Sequence, residues 1–453
     1  MNPAWVLVAA ILGSSMIFID STAVNVSLPV LQRELHATTA QTQWVIEGYA
    51  LFLSALILVG GALGDLYGRR RTFSIGIVIF ALSSIACGLA ANPAQLITAR
   101  CIQGVGGAIA TPGSLALLSA AYEGEARGRA IGMWSGFSAL TSAVGPVLGG
   151  WLTQNYSWRY VFFINIPIAI GVLLILTLAV PESRDDSAPR RIDVVGAMLA
   201  TVGLGLLVYG LIDSNGGRVS VPAIVAIAAG AVALYLFVRH ERRVPDPMVR
   251  CDLFASRTFT VANVYTFFLY TAIGGSLYFV PFVLINVHGY PPTAAGAALL
   301  PFIVIMVAAA RWSGGLVARI GARTPLLFGA ILAGIGFAAY AVPGSTGSYW
   351  TTFFPAAVLL GCGGALFVAP LTTTVMNAVP VEHAGVASGI NNAVARTAGL
   401  IGIAALGIVV TNAPSYLWGF RGAMIASAAL ALIAAATAGI WLQREPRLRR
   451  VNQ

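Results

Sequence analysis

Apolar runs of about twenty residues recur along the whole chain, and short polar segments separate them. Such a run crosses a hydrocarbon layer of ~30 Å as a helix, at ~1.5 Å per residue. The pattern predicts an all-α membrane protein with about 14 transmembrane helices. The predicted spans are residues 5–30, 41–63, 72–91, 94–118, 128–152, 160–180, 194–213, 221–239, 259–285, 294–314, 324–343, 351–376, 385–410 and 417–441.

Two longer polar segments, 181–193 and 239–252, interrupt this pattern around a pair of spans. We interpret that pair as an insertion between two bundles of six helices. The predicted domains are an N-terminal bundle over residues 1–183, cytoplasmic linkers with the inserted pair over 184–256, and a C-terminal bundle with a cytoplasmic tail over 257–453.

A short internal repeat supports two related bundles. The segment GGLVARIGAR at 314–323 matches GALGDLYGRR at 61–70 in two glycines, a leucine and an arginine. Each copy follows the second span of its predicted bundle, and parallel six-span repeats are one known transporter architecture. Ala318 replaces Asp65 in the second copy, so the halves share a shape but not this charge.

The charge distribution predicts the orientation. Only 9% of residues are charged, against about 25% in typical soluble domains. Most of the 26 basic residues, all arginine, fall in loops after even-numbered spans or in the tail. The positive-inside rule then places both termini in the cytoplasm. We expect the protein to lie in the inner (plasma) membrane. We interpret the first apolar run as a retained span, because no basic region precedes it.

The composition also excludes some chemistry. Without lysine the chain has neither a Walker A phosphate loop nor a Schiff-base amine. Its four cysteines and four histidines lack metal-ligand spacing, so we expect no metal site. No serine, histidine and aspartate set or soluble domain indicates an enzyme or a receptor. We therefore expect no cofactor and no direct use of ATP through such a phosphate loop.

Several motifs resemble known transporters. GALGDLYGRRR at 61–71 resembles the signature loop of the major facilitator superfamily, and RCIQGVGG at 100–107 resembles its fourth-span motif. GPVLGG at 145–150 is similar to the fifth-span antiporter motif, with Gly145, Pro146, Gly149 and Gly150 in place and Thr141 where another glycine is usual. IDSTAVNVSLP at 19–29 and SWRYVFFINIP at 157–167 resemble the fourteen-span drug:proton antiporters, which include quaternary-ammonium and tetracycline exporters.

This resemblance implies a major-facilitator fold and a proton-coupled multidrug efflux antiporter that works by alternating access, as a monomer. It also implies a gating role for the first motif, whose members are Gly61, Gly64, Asp65, Gly68, Arg69 and Arg70. We expect the glycines to allow close helix approach and Asp65 to join a charge cluster that latches one side closed. The alternative is that the arginines only anchor the topology.

Ionisable residues inside predicted spans are the other candidates, because each costs at least ~2.5–3.5 kcal/mol at a helix centre. Asp20 lies ~15 Å from the outer end of its span, and Glu47 and Arg100 each lie ~9 Å into theirs. At that shared depth, two carboxylates beside one guanidinium would leave one negative charge, for which a proton and an organic cation could compete. Arg311 and Arg396 lie in the predicted second bundle, where we expect them to satisfy helix ends or gate contacts.

Structural roles remain open for each of these residues. Asp20 could simply accept hydrogen bonds from Asn25 or Arg100, and Glu47 could reach the outer surface. Arg100 could be a structural partner for one carboxylate.

Aromatic residues of span nine suggest a substrate surface. Tyr270, Tyr278 and Phe282 have a spacing that places them roughly on one helix face, and such a wall suits a lipophilic cation. Packing against lipid or another helix explains the same residues equally well. The leading hypothesis is export of lipophilic, cationic compounds. The alternatives are a proton-coupled exporter of an endogenous metabolite or lipid, or an importing symporter.

Overall fold

The computed structural model describes residues 3–184, 193–214, 220–245, 247–344, 348–380 and 384–442. In those residues, 14 helical segments are long and apolar enough to cross a membrane, which confirms the number predicted from hydropathy. The chain divides into two compact units. Unit 1 comprises Met1–Met248 and Pro281–Ala297, and unit 2 comprises Val249–Val280 and Ala298–Gln453.

Unit 1 contains nine of the described helices in full, together with a short helix that comes later in the chain. They are α1 (Pro3–Glu34), α2 (Thr39–Tyr67), α3 (Arg69–Leu89), α4 (Pro93–Ala121), α5 (Gly124–Asn155), α6 (Tyr160–Phe163), α7 (Asn165–Ala179), α8 (Val194–Asp213), α9 (Val221–Glu241) and the short α11 (Pro292–Ala297). A buried apolar core that includes Phe73, Ile77 and Phe80 joins α3 to its neighbours.

Unit 2 holds the remaining described helices. They are most of α10 (Arg257–Phe282), α12 (Leu300–Gly314), α13 (Leu316–Ile320), α14 (Arg323–Tyr340), α15 (Phe353–Asn377), α16 (Ala384–Thr411) and α17 (Tyr416–Trp441). A 3₁₀ turn at Cys251–Ala255 precedes α10 and a π turn at Val283–Val287 follows it. Helices α14 and α15 approach closely, because a Cβ on Gly336 would lie 2.8 Å from the Leu360 nitrogen.

Small residues set the helix spacing in unit 1, as is common in membrane bundles. Helices α2 and α4 touch at Gly60, where an added Cβ would overlap the Ala108 carbonyl. The inserted helices α8 and α9 pack on each other through glycines, and a Cβ on Gly210 would lie 2.7 Å from the Ala223 oxygen. Helix α8 also packs against α2. The inserted pair is therefore part of the same compact unit as α2.

The repeated glycines Gly68 and Gly321 have the same structural role. Their φ angles are 107° and 76°, in the region that favours glycine, and each ends a helix. The predicted spans 41–63 and 72–91 leave residues 64–71 as a loop, but this expectation is wrong, because α2 continues to Tyr67 and α3 begins at Arg69. Only Gly68 interrupts the helices, since a single residue with positive φ is enough to turn the chain.

Candidate functional site

A fully buried ion pair joins α1 to α4. Arg100 Nη1 donates to Asp20 Oδ2 at 2.6 Å, and the exposed fraction of both side chains is 0%. Arg100 also donates from Nε to the Val45 carbonyl of α2 at 3.0 Å. Its guanidinium lies 4.2 Å from the ring centroid of Tyr49, a cation–π contact. The pair therefore connects three helices in the interior of unit 1.

Two amide side chains complete the surroundings of Asp20. Gln103 Nε2 and Asn165 Nδ2 each donate to Asp20 Oδ1 at 3.0 Å, and both residues are fully buried. Gln103 lies one turn after Arg100 and accepts its Nη1–H at 2.7 Å through Oε1. Because a guanidinium only donates, the Gln103 oxygen must face Arg100 and its NH₂ must face Asp20.

A break in the sixth span places Asn165. Pro167 has no N–H to donate to the Phe163 carbonyl, so the helix is interrupted between α6 and α7. Asn165 then begins α7 and donates Nδ2–H to Ser84 Oγ of α3 at 2.9 Å as well as to Asp20. Helices α1, α3, α4 and α7 thus meet in one hydrogen-bonded network, which we call the Asp20 network: Asp20, Ser84, Arg100, Gln103 and Asn165.

The sequence analysis missed Gln103, Asn165 and Ser84 as site residues. The first two lie inside the motifs RCIQGVGG and SWRYVFFINIP. An amide side chain within an otherwise apolar span was the available signal. Ser84 carried none, because serine is common in membrane helices.

Glu47 has different surroundings, although it is also 0% exposed. Neither of its carboxyl oxygens has a hydrogen-bond partner among the described residues, and it forms no ion pair there. The Oδ1 atom of Asn25 is likewise buried without a hydrogen-bond partner in the described chain. The structure therefore joins Asp20 to Arg100, but does not join Glu47 or Asn25 to that pair.

The structure also places the two arginines predicted inside spans of the second bundle. Arg396 lies half-buried in α16. Arg311 belongs to α12, but its side chain is outside the described part of the structure.

The first motif forms a second charged cluster, where α2 meets α3. Arg69 Nε and Nη2 both donate to Asp65 Oδ1, at 2.9 and 2.8 Å. Glu182, which follows α7, accepts the backbone N–H groups of Arg70 and Arg71 at 2.9 and 3.1 Å. Because these N–H groups are free at the start of α3, Glu182 acts as its cap. The sequence analysis did not identify Glu182.

The glycines of this motif differ in what they contact. A Cβ on Gly61 would make an ordinary contact with Pro112 at 3.7 Å, whereas one on Gly64 would meet nothing within 4 Å. The close approach of α2 and α4 occurs at the neighbouring Gly60.

The GPVLGG segment packs α5 against two helices. Added Cβ atoms on Gly145 and Gly149 would overlap α1, at Thr22 and Ala23 respectively. One on Gly150 would overlap the Pro292 carbonyl of α11, and the Pro146 carbonyl lies where a Cβ on Gly296 of α11 would be. Side chains larger than hydrogen at these glycines would force the helices apart.

The three aromatic residues predicted to form a wall all lie in α10. Tyr278 and Phe282 are buried, with exposed fractions of 3% and 6%, and Tyr270 is half-buried. The ring of Tyr278 packs edge-on against Phe279, with centroids 4.8 Å apart. These contacts are those of packed helix residues.

One further group of ionisable residues joins the ends of the inserted helices. Asp193 caps α8 by accepting the Gly196 N–H at 2.8 Å, and it lies 2.8 Å from His240 Nε2 of α9. Burial alone would raise the pKa of Asp193, but the hydrogen bonds from Gly196 and His240 hold this pKa below its ordinary value.

Within the described ranges, no group of three or more His, Cys, Asp or Glu side chains could hold a metal ion.

Comparison with known proteins gives the family. The model of the Major Facilitator Superfamily matches residues 10–403. The chain is 39% identical over 406 residues to the multidrug resistance protein Stp of Mycobacterium tuberculosis, covering 89% of this chain and 75% of the relative. It is 33% identical over 412 residues to the tetracenomycin C resistance and export protein of Streptomyces glaucescens, covering 90% and 76%.

Solved structures agree on the fold. A D-xylose–proton symporter superposes with a TM-score of 0.70 at 15% identity, covering 98% of this chain and 99% of the symporter. The family model spans most of the chain, and the hydropathy identifies the helices as membrane spans. The protein is a multi-pass membrane protein that belongs to the major facilitator superfamily.

Proposed function

We propose that this protein is a proton-coupled antiporter that exports lipophilic, cationic drugs by alternating access. The observation that carries the proposal is the similarity over 89% of the chain to a multidrug resistance protein. The similarity to a tetracenomycin C resistance and export protein supports a role in drug export. Substrates are small molecules, the energy source is the proton gradient, no cofactor is needed and the transporter acts as a monomer.

The buried charges of unit 1 support proton coupling. Asp20 and Glu47 are both fully buried, while Arg100 compensates only Asp20. One acidic group is therefore available to a proton or to a cationic substrate, and binding of one disfavours the other. Competition of this kind couples proton entry to cation exit.

The arginine distribution supports the orientation. We place Gly68 and both termini on the cytoplasmic side of the plasma membrane, because most arginines lie in the loops of that side. The Asp65–Arg69 pair and Glu182 then form part of the cytoplasmic gate.

Purified protein in liposomes with an imposed pH gradient tests this function. We would add ethidium, follow an internal pH dye and compare the wild type with Glu47→Gln. Asp213→Asn is the matched control, because Asp213 is exposed at the end of α8. Ethidium-triggered proton movement that is lost in Glu47→Gln and kept in Asp213→Asn is the expected result.

An absent response in the wild type to every lipophilic cation would contradict the proposal. The alternatives would then be a proton-coupled exporter of an endogenous metabolite or lipid, or an importing symporter. In the same liposomes, the direction in which a labelled compound moves distinguishes an exporter from an importing symporter.

A further inference from the structure

The two buried acids of unit 1 have opposite surroundings. Asp20 accepts three hydrogen bonds, from Arg100, Gln103 and Asn165. Glu47 accepts none from the described residues, although its exposed fraction is also 0%. Equal burial with unequal compensation means that ionisation costs more free energy at Glu47 than at Asp20.

No neighbouring charge compensates Glu47. The helices packed against α2 are α1, α3, α4 and α8. The ionisable side chains of these four helices are Asp20, Arg33 and Glu34 of α1, Arg69, Arg70, Arg71 and Cys87 of α3, Arg100 and Cys101 of α4, and Tyr209 and Asp213 of α8. None of these forms a hydrogen bond or an ion pair with Glu47. A buried carboxylate without a partner costs several kcal/mol, whereas the neutral acid avoids most of that cost.

The reverse holds for Asp20. A proton on Asp20 would occupy an oxygen that now accepts a donor, and would leave the Arg100 guanidinium buried without a counter-charge. Gln103 cannot substitute for the carboxylate, because its oxygen already accepts from Arg100. Moving a proton from Glu47 to Asp20 would therefore be unfavourable at both residues. It would leave an unpartnered carboxylate at Glu47 and an uncompensated guanidinium beside Asp20.

We propose that Glu47 carries the proton that is exchanged for drug, while Asp20 stays ionised and holds Arg100. This inference rests on the proposed antiport function. When a cation reaches the site, the O–H bond of the Glu47 carboxyl breaks and the proton leaves to the aqueous side that is then open. The cation replaces the proton as the partner of the carboxylate. Return of a proton to Glu47 after drug release completes the cycle.

Infrared spectroscopy of the protein in liposomes tests where the proton resides. The carbonyl stretch of a protonated carboxylic acid is separate from the bands of a carboxylate. At neutral pH the wild type should show this stretch, Glu47→Gln should lose it and Asp20→Asn should retain it. The exposed-site variant Asp213→Asn should match the wild type.

Perfusion with tetraphenylphosphonium tests exchange. The Glu47 band should decrease when this lipophilic cation is added to the wild type, and proton release should appear in weakly buffered medium. If Asp20→Asn does not fold, Asn165→Ala serves instead, because it removes a donor from Asp20 and should leave the band unchanged.

Three outcomes would overturn the inference. The band could persist in Glu47→Gln, it could vanish in Asp20→Asn or change in Asn165→Ala, or it could stay constant during cation perfusion while liposomes still exchange cations for protons. Failure of the proposed function is distinguishable, because it would appear as absent proton flux in wild-type liposomes. The loss of the band in one of the two variants would still show which acid holds a proton.

Discussion

Arg100 Nη1 lies 2.6 Å from Asp20 Oδ2, and both side chains are fully buried. A buried pair of this kind does not by itself stabilise a protein strongly, because desolvation opposes the attraction. Removing one partner is different, since the other charge then stays buried without compensation. In this protein the pair also connects α1 to α4, so its loss would affect helix packing as well as charge.

Asp20→Asn should therefore destabilise the protein strongly. We expect a loss of about 3–5 kcal/mol, because the Arg100 guanidinium would remain buried without its counter-charge. Thermal unfolding in detergent measures this, with Asp213→Asn as the control. Glu47→Gln should unfold near the wild-type temperature, because an amide replaces a neutral acid. Equal unfolding temperatures for Asp20→Asn and wild type would show that Arg100 finds another partner.

Asn165 should stabilise the protein through its hydrogen bond to Asp20. Asn165→Ala removes a hydrogen bond to an ionised carboxylate, which is worth about 1.5–3 kcal/mol. Asn165→Asp should be worse, since it places a second carboxylate against Asp20. The control is Asn155→Ala, because the Asn155 side chain donates to the Trp151 carbonyl of its own helix on an exposed face. We expect the unfolding temperature to decrease from the wild type to Asn165→Ala and further to Asn165→Asp. The reverse order of the two variants would contradict the contact between Asn165 and Asp20.

Gly149 should tolerate no side chain. A Cβ there would lie 2.5 Å from the Ala23 carbonyl oxygen, and backbone cannot move aside without shifting α1 from α5. We expect Gly149→Ala to cost about 1–3 kcal/mol and to reduce transport. Gly171→Ala is the matched control in α7, because its Cβ would meet nothing within 4 Å. Similar transport rates in the two variants would refute tight α1–α5 packing.

Glu182 should hold the first turn of α3. Glu182→Gln weakens the two hydrogen bonds to backbone N–H groups, at a cost of about 1 kcal/mol or less because the side chain is 40% exposed. Hydrogen–deuterium exchange at residues 69–72 should increase. Glu123→Gln is the control, because Glu123 precedes α5 without forming a side-chain cap. Unchanged exchange in Glu182→Gln would rule out the capping role.

The Asp193 contact predicts a pH dependence. Folding lowers the pKa of Asp193. Its contribution to the free energy of unfolding is therefore fully present above the pKa of the unfolded state, about 3.9, and is lost as the pH falls through the pKa of the folded state. Asp193→Ala should cost about 1 kcal/mol at neutral pH, as typical for loss of a helix cap. The difference in unfolding temperature from wild type should shrink below about pH 4. A constant difference at every pH would contradict this assignment.

The sequence determined the membrane spans and the family. Hydropathy alone predicts 14 spans, because a helix must match the thickness of the bilayer wherever it crosses. The repeated glycines Gly68 and Gly321 were also visible as a motif, and both have the positive φ that glycine permits. The shared depth of Asp20 and Arg100 followed from counting residues along two helices.

Only the tertiary structure decided which polar groups meet. Depth along a helix follows from residue number, but the direction of a side chain depends on how each helix is rotated and packed. Asp20 and Glu47 have similar depths, yet only Asp20 faces Arg100, Gln103 and Asn165. Glu182 likewise reaches the start of α3 only because α7 ends beside it. Hydrogen bonds require contact within about 3 Å, and helix packing sets distances on that scale.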